Sequence, residues 1–596
     1  MSRSPMSSAA TSMDPVIQAL QMAEAGNQSD AAALLRRVLA KDSRNVDARR
    51  ALAGMGAHAR PALRLFGVDR TAADAIRAAM MANDWQTIIA QAPALLERQP
   101  LAADAANALG TALRMTGQNN KALRVYEHAL RVDPALPDTY INLSSMLQQA
   151  GQAQAAAEAA RGALDVAPAM AESHLAMGLA LYDLDDVADA ETHLRRATEL
   201  APKKFLTWDA LCRALERLNK LDDLARTLNA ALHHCPGQPL LLLHKAAMLN
   251  RQKDDEAALD VLNRIDPGAL PPHSRSVHSE LRGRALDALD RPAEAFDAFA
   301  RMNAIQRDLH VPPNHENIFT RMITGRLDGA ARIGEGWSVT DTDGPQPVFM
   351  VGFPRSGTTL LDTILRGHDG VAVVEEMPMV AQLNRGIPSL GENAALAALP
   401  AEAIAERRAA YLASFEQTLG AALNGRLPVD KLPLNLAEAG SIARHFPKAR
   451  FILSLRHPAD CVLSCFMQNF KPNEAMNTFL DIEQAARTYD TLFSLWETYR
   501  ARLGLDVVEI RYEDLIGDLQ GAVEPVLNHI GLDWHDGMAD YRKSAAARPV
   551  IRTPSYKQVT QDLYDSADGR WRRYEDMLAP AMPILQPWID RWGYAL

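Results

Sequence analysis

Pro100, Pro134, Pro168, Pro202 and Pro236 stand each 34 residues after the last, and no other feature restricts the fold of this chain so much. A period of that length holds one pair of antiparallel helices with its turns, stacked along a solenoid. The residues between the prolines keep the same register. One unit reads Gly110, Leu113, Gly117, Ala122, Tyr126, Ala129, Pro134, and the next Ser144, Leu147, Gly151, Ala156, Ala160, Ala163, Pro168. A third reads Gly178, Leu181, Ala190, Leu194, Ala197, Pro202. Small residues mark where the two helices of a unit approach closely, and larger apolar residues mark where neighbouring units interlock. Proline ends the second helix because it cannot continue the hydrogen-bond ladder. A degenerate unit ends at Pro236, and Gly283, Leu286, Ala295, Phe299 and Met302 mark another.

This pattern resembles the tetratricopeptide-repeat family over residues 14–303, after a start at 1–13 that reads as disordered. Solenoids of that kind present a concave face that holds extended peptides, so the resemblance implies a docked protein or peptide partner. A formal net charge of −10 argues against a nucleic-acid partner bound through overall electrostatics. Residues 1–15 lack the apolar stretch of a secretory signal, and no uninterrupted apolar run is long enough for a membrane span. No second cysteine pair or nearby histidine cluster completes a zinc site around Cys212, Cys235, Cys461 or Cys465, so free thiols are expected and no metal. That usage suits a reducing, cytoplasmic setting.

Proline, glycine and aspartate accumulate between 304 and 345, which reads as a connecting segment. Beyond it, in 346–596, short apolar β-type runs at 347–352, 450–455 and 506–511 alternate with helical patterns. The expected architecture is therefore α followed by α/β: a solenoid, then a P-loop-like domain around a central parallel sheet.

The first of those runs enters Gly352-Phe-Pro-Arg-Ser-Gly-Thr-Thr-Leu-Leu361. A strand, a glycine-bearing loop and a helix start set backbone N–H groups around an anion. Arg355, Ser356, Gly357, Thr358 and Thr359 supply a cation, hydroxyls and a close backbone approach. The spacing of Gly352 and Gly357 is that of a Walker loop, but Thr358 stands where its lysine belongs, which disfavours nucleoside-triphosphate hydrolysis. At the second run, Arg456 follows the strand and Ser464 comes eight residues later on the next helix, so both can converge on one dianionic group.

Phe353-Pro-Arg-Ser-Gly-Thr-Thr-Leu360 resembles the 5′-phosphosulfate loop of the sulfotransferase superfamily, with arginine as in tyrosylprotein sulfotransferases and their bacterial relatives. The resemblance implies that 3′-phosphoadenosine-5′-phosphosulfate is the sulfuryl donor, and that Arg456 and Ser464 hold its 3′-phosphate. Three more segments are similar to that family. Arg511-Tyr-Glu-Asp-Leu515 implies Tyr512 near the adenine. Ser555-Tyr-Lys-Gln-Val559 followed by Gly569-Arg-Trp571 implies Ser555 and Arg570 on donor phosphates. Val429-Asp-Lys-Leu-Pro433 implies Lys431 at the transferring group.

Sulfuryl transfer needs a base for the acceptor hydroxyl and positive charge at the leaving phosphate. Glu376, 21 residues after Arg355, matches the interval to the catalytic glutamate of the tyrosylprotein enzymes, and it follows an apolar run that partly desolvates it. Glu375 and His368 are the alternatives, His368 more readily explained by its turn, and His457 orients the Arg456 loop. The tyrosylprotein family continues with threonine and arginine where this chain has Met377 and Pro378, which weakens tyrosine as acceptor more than it weakens sulfuryl transfer. The leading reading is thus a sulfotransferase with Glu376, Arg355 and Lys431 as its chemical residues, acting on a protein or peptide hydroxyl docked by the repeats. A carbohydrate, lipid or small-molecule acceptor is the second reading, and a non-catalytic nucleotide-binding scaffold the third.

Overall fold

A computed structural model describes residues 14–42, 45–55, 70–100, 102–338, 344, 346–388, 391–420, 423–541 and 569–595. The expected disordered start at 1–13 and Ser555 lie outside them. The chain folds as two compact units, Met1–Met248 and Leu249–Leu596.

Helical pairs build the first unit. The helices Trp85–Arg98, Asn119–Val132, Ala153–Val166, Val187–Leu200 and Leu221–His234 each end two residues before one of the periodic prolines. Within a pair, glycine lets the partner helix bring a large side chain against the backbone. A Cβ on Gly110 would lie 2.6 Å from the Tyr126 ring, and one on Gly178 would lie 2.6 Å from Leu194. The same offset recurs in the second unit, where a Cβ on Gly283 would lie 2.8 Å from Phe299.

That second unit opens with the last repeat-like helices and continues directly into the sheet domain. The antiparallel pair Pro272–Ala288 and Pro292–His310 contributes Leu286, Phe299 and Met302 to the same apolar core as the sheet residues Phe349 and Phe451. The stretch expected as a connecting segment is a correction to the sequence reading. It completes Pro292–His310 and then forms the helix Ile318–Ala330, whose Ile323 and Ala330 are buried in that core. Arg326 of this helix is itself buried, 2.7 Å from Glu438 and 3.3 Å from Glu392. Gly325 and Gly329 lie inside it, while the prolines before it and the glycines after it mark its ends.

Five parallel strands form the sheet: β1 (Val348–Gly352), β2 (Val371–Glu375), β3 (Leu427–Lys431), β4 (Arg450–Leu455) and β5 (Asp506–Arg511), in the order β2-β3-β1-β4-β5. Three of these match the apolar runs of the sequence, while β2 and β3 complete the sheet on the other side of β1. Alternate residues of β1 serve opposite faces: Phe349 and Val351 join one core, Val348 and Met350 the other. Burial on both faces is what an all-parallel sheet requires.

Candidate active site

All five strands end along one edge of the sheet, and each delivers a residue with chemical potential there. β1 leads into the Arg355–Thr359 loop, β2 into Glu376, β3 ends on Lys431, β4 precedes Arg456, and β5 precedes Tyr512. The crevice beyond the carboxyl ends of a parallel sheet, where the strand order reverses, is the place such folds offer to ligands. Here β1 sends the chain to β2 on one side, while β4 lies on its other side.

The loop after β1 is tightly held. Gly352 sits so close to β4 that a Cβ would be 2.6 Å from the Ser454 carbonyl oxygen. Gly357 has φ +96° and a Cβ there would meet the Tyr512 ring at 2.7 Å. The helix Thr358–Leu365 starts immediately after it. Arg355 adopts φ +73°, a left-handed conformation that a long side chain takes only when its surroundings enforce it. Its Nε donates to Ser464 Oγ at 3.0 Å, and its carbonyl accepts from Arg456 Nη1 at 3.3 Å. The Arg456 guanidinium lies 5.0 Å from the centre of the Tyr512 ring and 3.9 Å from Asp460. The sequence pair Arg456 and Ser464 is thus assembled around Arg355, with Tyr512 alongside.

Two arginines set the electrostatics of this half. Burial pushes the Arg355 guanidinium down to about 10; Cys465 works against the shift, and the neighbouring charges of Arg456, Arg284 and Arg570 reinforce it. Burial acts in the same direction on Arg456, but Asp460 and other neighbours outweigh it and leave its pKa raised. Ser356 Oγ, packed beside Gly352, is buried without a hydrogen-bond partner, which leaves its hydroxyl to be satisfied by an incoming oxygen.

On the other side of the loop stand the two glutamates. Glu376 adopts φ +49°, and its N–H donates to the Lys431 carbonyl at 2.8 Å. Its carboxylate lies 2.8 Å from Lys431 Nζ, whereas the Glu375 carboxylate is 3.7 Å away. Lys431 Nζ also reaches Thr359 Oγ1 at 3.4 Å, which joins the glutamates to the phosphate-type loop. The Lys431 side chain is fully buried and that of Glu376 is 29% exposed, so Glu376 is the member open to an incoming group. Behind them Asp430 accepts from Tyr411 Oη at 2.9 Å, and burial pushes its carboxyl up to about 7 against that hydrogen bond.

Two histidines have other duties. His368 Nδ1 accepts from the Gly370 N–H at 2.9 Å, which leaves Nε2 to donate to the Asp533 carbonyl at 3.0 Å. Both ring nitrogens are spent on the turn. His457 stacks on Trp571 with ring centres 4.8 Å apart, and its backbone N–H donates to Glu513 at 2.9 Å.

Arg570 is paired with Asp287 of the helix Pro272–Ala288, and the N–H groups on either side of it, Gly569 and Trp571, donate to Asp460 at 3.0 and 2.9 Å. Asp460 and Asp287 are missing from the sequence reading. The first carried a signal, an acidic residue in the first turn of the helix after Arg456, but Asp287 lies 283 positions from Arg570 and carried none. Among the described residues, no group of three or more His, Cys, Asp or Glu side chains is placed to hold a metal ion. Nor is any described helix long and apolar enough to cross a membrane.

Comparison with known proteins gives this site its setting. Residues 347–536 match the sulfotransferase family and residues 171–204 match a tetratricopeptide repeat. The chain therefore carries a sulfotransferase-family domain behind a tetratricopeptide segment. It is 26% identical over 364 residues to an uncharacterized protein of Aquifex aeolicus, a match covering 58% of this chain and 46% of that relative. The chain thus spans less than half the length of that relative. Among solved structures, a tetratricopeptide repeat protein from Parabacteroides merdae is 18% identical over 40% of this chain and 92% of its own, with a TM-score of 0.33. PilF of Pseudomonas aeruginosa is 20% identical over 34% of this chain and 91% of its own, with a TM-score of 0.31.

Proposed function

We propose that this protein transfers a sulfuryl group from 3′-phosphoadenosine-5′-phosphosulfate to an acceptor hydroxyl, one borne by a protein or peptide held by the repeats. The observation that carries the reading is the linkage at the sheet edge: Glu376 on Lys431, Lys431 on Thr359, and Arg355 on Ser464, joined through one loop. A proton acceptor and a cluster of cations thereby flank the same few atoms of space.

The residue types suit that donor. The orphan hydroxyl of Ser356, with Thr358, Thr359, Arg355 and the N–H groups of the helix start, would hold the 5′-phosphosulfate, while Arg456 and Ser464 would hold the 3′-phosphate. Tyr512, packed against Gly357, would border the adenine, and Arg570 would close on the phosphates. The donor supplies the sulfuryl group, bonded through oxygen to its 5′-phosphate. Glu376 accepts the proton of the acceptor hydroxyl as the acceptor oxygen bonds to sulfur. Arg355 and Lys431 meet the charge that grows on the 5′-phosphate as its bond to sulfur breaks. In such a loose transition state, fixed positive charge and positioning supply most of the rate.

The test is turnover. The full chain, given the donor and a panel of hydroxyl-bearing peptides and sugars, should release 3′,5′-bisphosphoadenosine in step with a sulfated acceptor, and EDTA should not stop it. Strict dependence on a metal, or no donor-dependent product with any acceptor, would overturn the reading.

A further inference from the structure

The helix Pro272–Ala288 follows the repeat pattern, yet its last turn grips the C-terminal segment that carries Arg570. Asp287 Oδ1 accepts from Tyr574 Oη at 2.7 Å and from Arg573 Nη2 at 2.9 Å, and its Oδ2 is paired with Arg570. Its backbone carbonyl takes a further Arg573 N–H at 3.1 Å. The Asp287 side chain is 13% exposed and that of Arg570 26%, so the pair is largely shielded from water.

Arg570 is therefore fixed from two directions. Asp460, on the helix after Arg456, takes the N–H groups flanking it, and Trp571 stacks on His457. Asp287, on the repeat hairpin, takes its guanidinium. Arg570 Nε is buried with no hydrogen-bond partner of its own. Arg284, three residues before Asp287 on the same helix, is held by Glu280 at 2.7 Å. Arg284 and Arg570 both add positive charge at Arg355. Like charges crowded this way repel, and a guanidinium stays among them only if a carboxylate holds it.

We propose that Asp287 is a positioning residue of the donor site: it sets Arg570 toward the donor phosphates and makes the last repeat hairpin a working part of that site. This rests on the reading of Arg570 as a nucleotide contact. Asp287 itself touches no reacting atom and acts through Arg570.

Calorimetric titration of the full chain with 3′,5′-bisphosphoadenosine tests it, using Asp287→Asn, Asp287→Glu, Arg570→Ala and the double variant Asp287→Asn with Arg570→Ala. Asp287→Asn should weaken binding about tenfold or more, the scale of one charged hydrogen-bonded contact. Asp287→Glu, which keeps the charge, should recover most of that loss. In the Arg570→Ala background, Asp287→Asn should cost nothing further, which a merely structural role would not predict. Arg573→Ala removes another partner of Asp287 but leaves the Arg570 pair, so it should bind nearly as well as the parent. Unchanged or tighter binding by Asp287→Asn, additive losses in the double variant, or an equal loss in Arg573→Ala would each overturn the proposal. If Asp287→Asn does not fold, Asp287→Ser serves in the same cycle. Failure of the nucleotide reading looks different, because the parent protein itself would then not bind.

Discussion

The two units bury polar groups in different ways. In Met1–Met248 the buried polar side chains are mostly hydroxyls, such as Thr139, Ser173 and Thr207, each within a helix. Among its described residues, the non-glycine ones with positive φ are Asn83, Asp185 and Asn219, types that tolerate the left-handed region in turns. In Leu249–Leu596 charged groups are more numerous among the buried polar ones than the Arg49, Asp133 and Glu191 of the first unit; Asp430, Lys431, Arg456 and Asp460 lie around the sheet edge, where Arg355 and Glu376 also adopt positive φ. Long side chains gain nothing locally from that conformation. Positive φ at long side chains and buried charge thus coincide at the sheet edge, and local rules are broken together where a site is being held in shape.

The largest effect that would sharpen this contrast is on rate. Glu376→Gln keeps shape and hydrogen-bonding capacity but cannot accept a proton near neutral pH. It should lower turnover by about 10²–10⁴-fold with nucleotide affinity unchanged, as read by steady-state kinetics beside calorimetry. Glu375→Gln, at the more distant carboxylate, should do less. Near-normal turnover of Glu376→Gln would place the base elsewhere.

A change in the first unit should cost stability and nothing else. Gly178→Val puts a branched side chain where even a Cβ lies 2.6 Å from Leu194. Overpacking of that kind should remove about 1–3 kcal/mol, seen in denaturant melts followed by helical circular dichroism. Nucleotide binding should stay as it was. A matching loss of nucleotide affinity would show that the two units are not separable in this way.

The smallest expected effect is a pH dependence confined to the second unit. Burial raises the carboxyls of Asp430 and Glu392 to about 7 in the folded state, against opposing contacts from Tyr411 and Arg326 respectively. The folded form therefore holds protons that the unfolded chain has released. The stability these groups contribute is fully present below the unfolded carboxylate range and is lost as pH rises through about 7. Asp430→Asn should flatten the fall in melting temperature between about pH 5 and 8. An unchanged slope would remove Asp430 from that account.

The repeats were legible because their fold is periodic: each proline stands two residues beyond the helix it follows, as its missing N–H demands. The phosphate-type loop was legible as well, since strand, glycines and hydroxyls are adjacent in sequence. β3 was not. Pro428 and the charges of Asp430 and Lys431 argue against a buried strand, and they are tolerated only through distant partners: Tyr411 on Asp430, Glu376 on Lys431. The helix Ile318–Ala330 was hidden by the prolines and glycines around it. Asp287 shows the limit most plainly, because its role depends on a contact between residues that no local pattern relates.

The proposed function stands or falls on whether the Arg355, Arg456 and Ser464 cluster receives a nucleotide phosphorylated at both the 3′ and 5′ positions. Calorimetric titration of the parent protein with 3′,5′-bisphosphoadenosine and with 5′-AMP addresses it directly, because the two differ only in the 3′-phosphate. Loss of that charged contact should weaken binding by about 1.5–3 kcal/mol, roughly ten- to a hundredfold, and Arg456→Ala should erase the difference. Equal affinity for the two nucleotides would contradict the account.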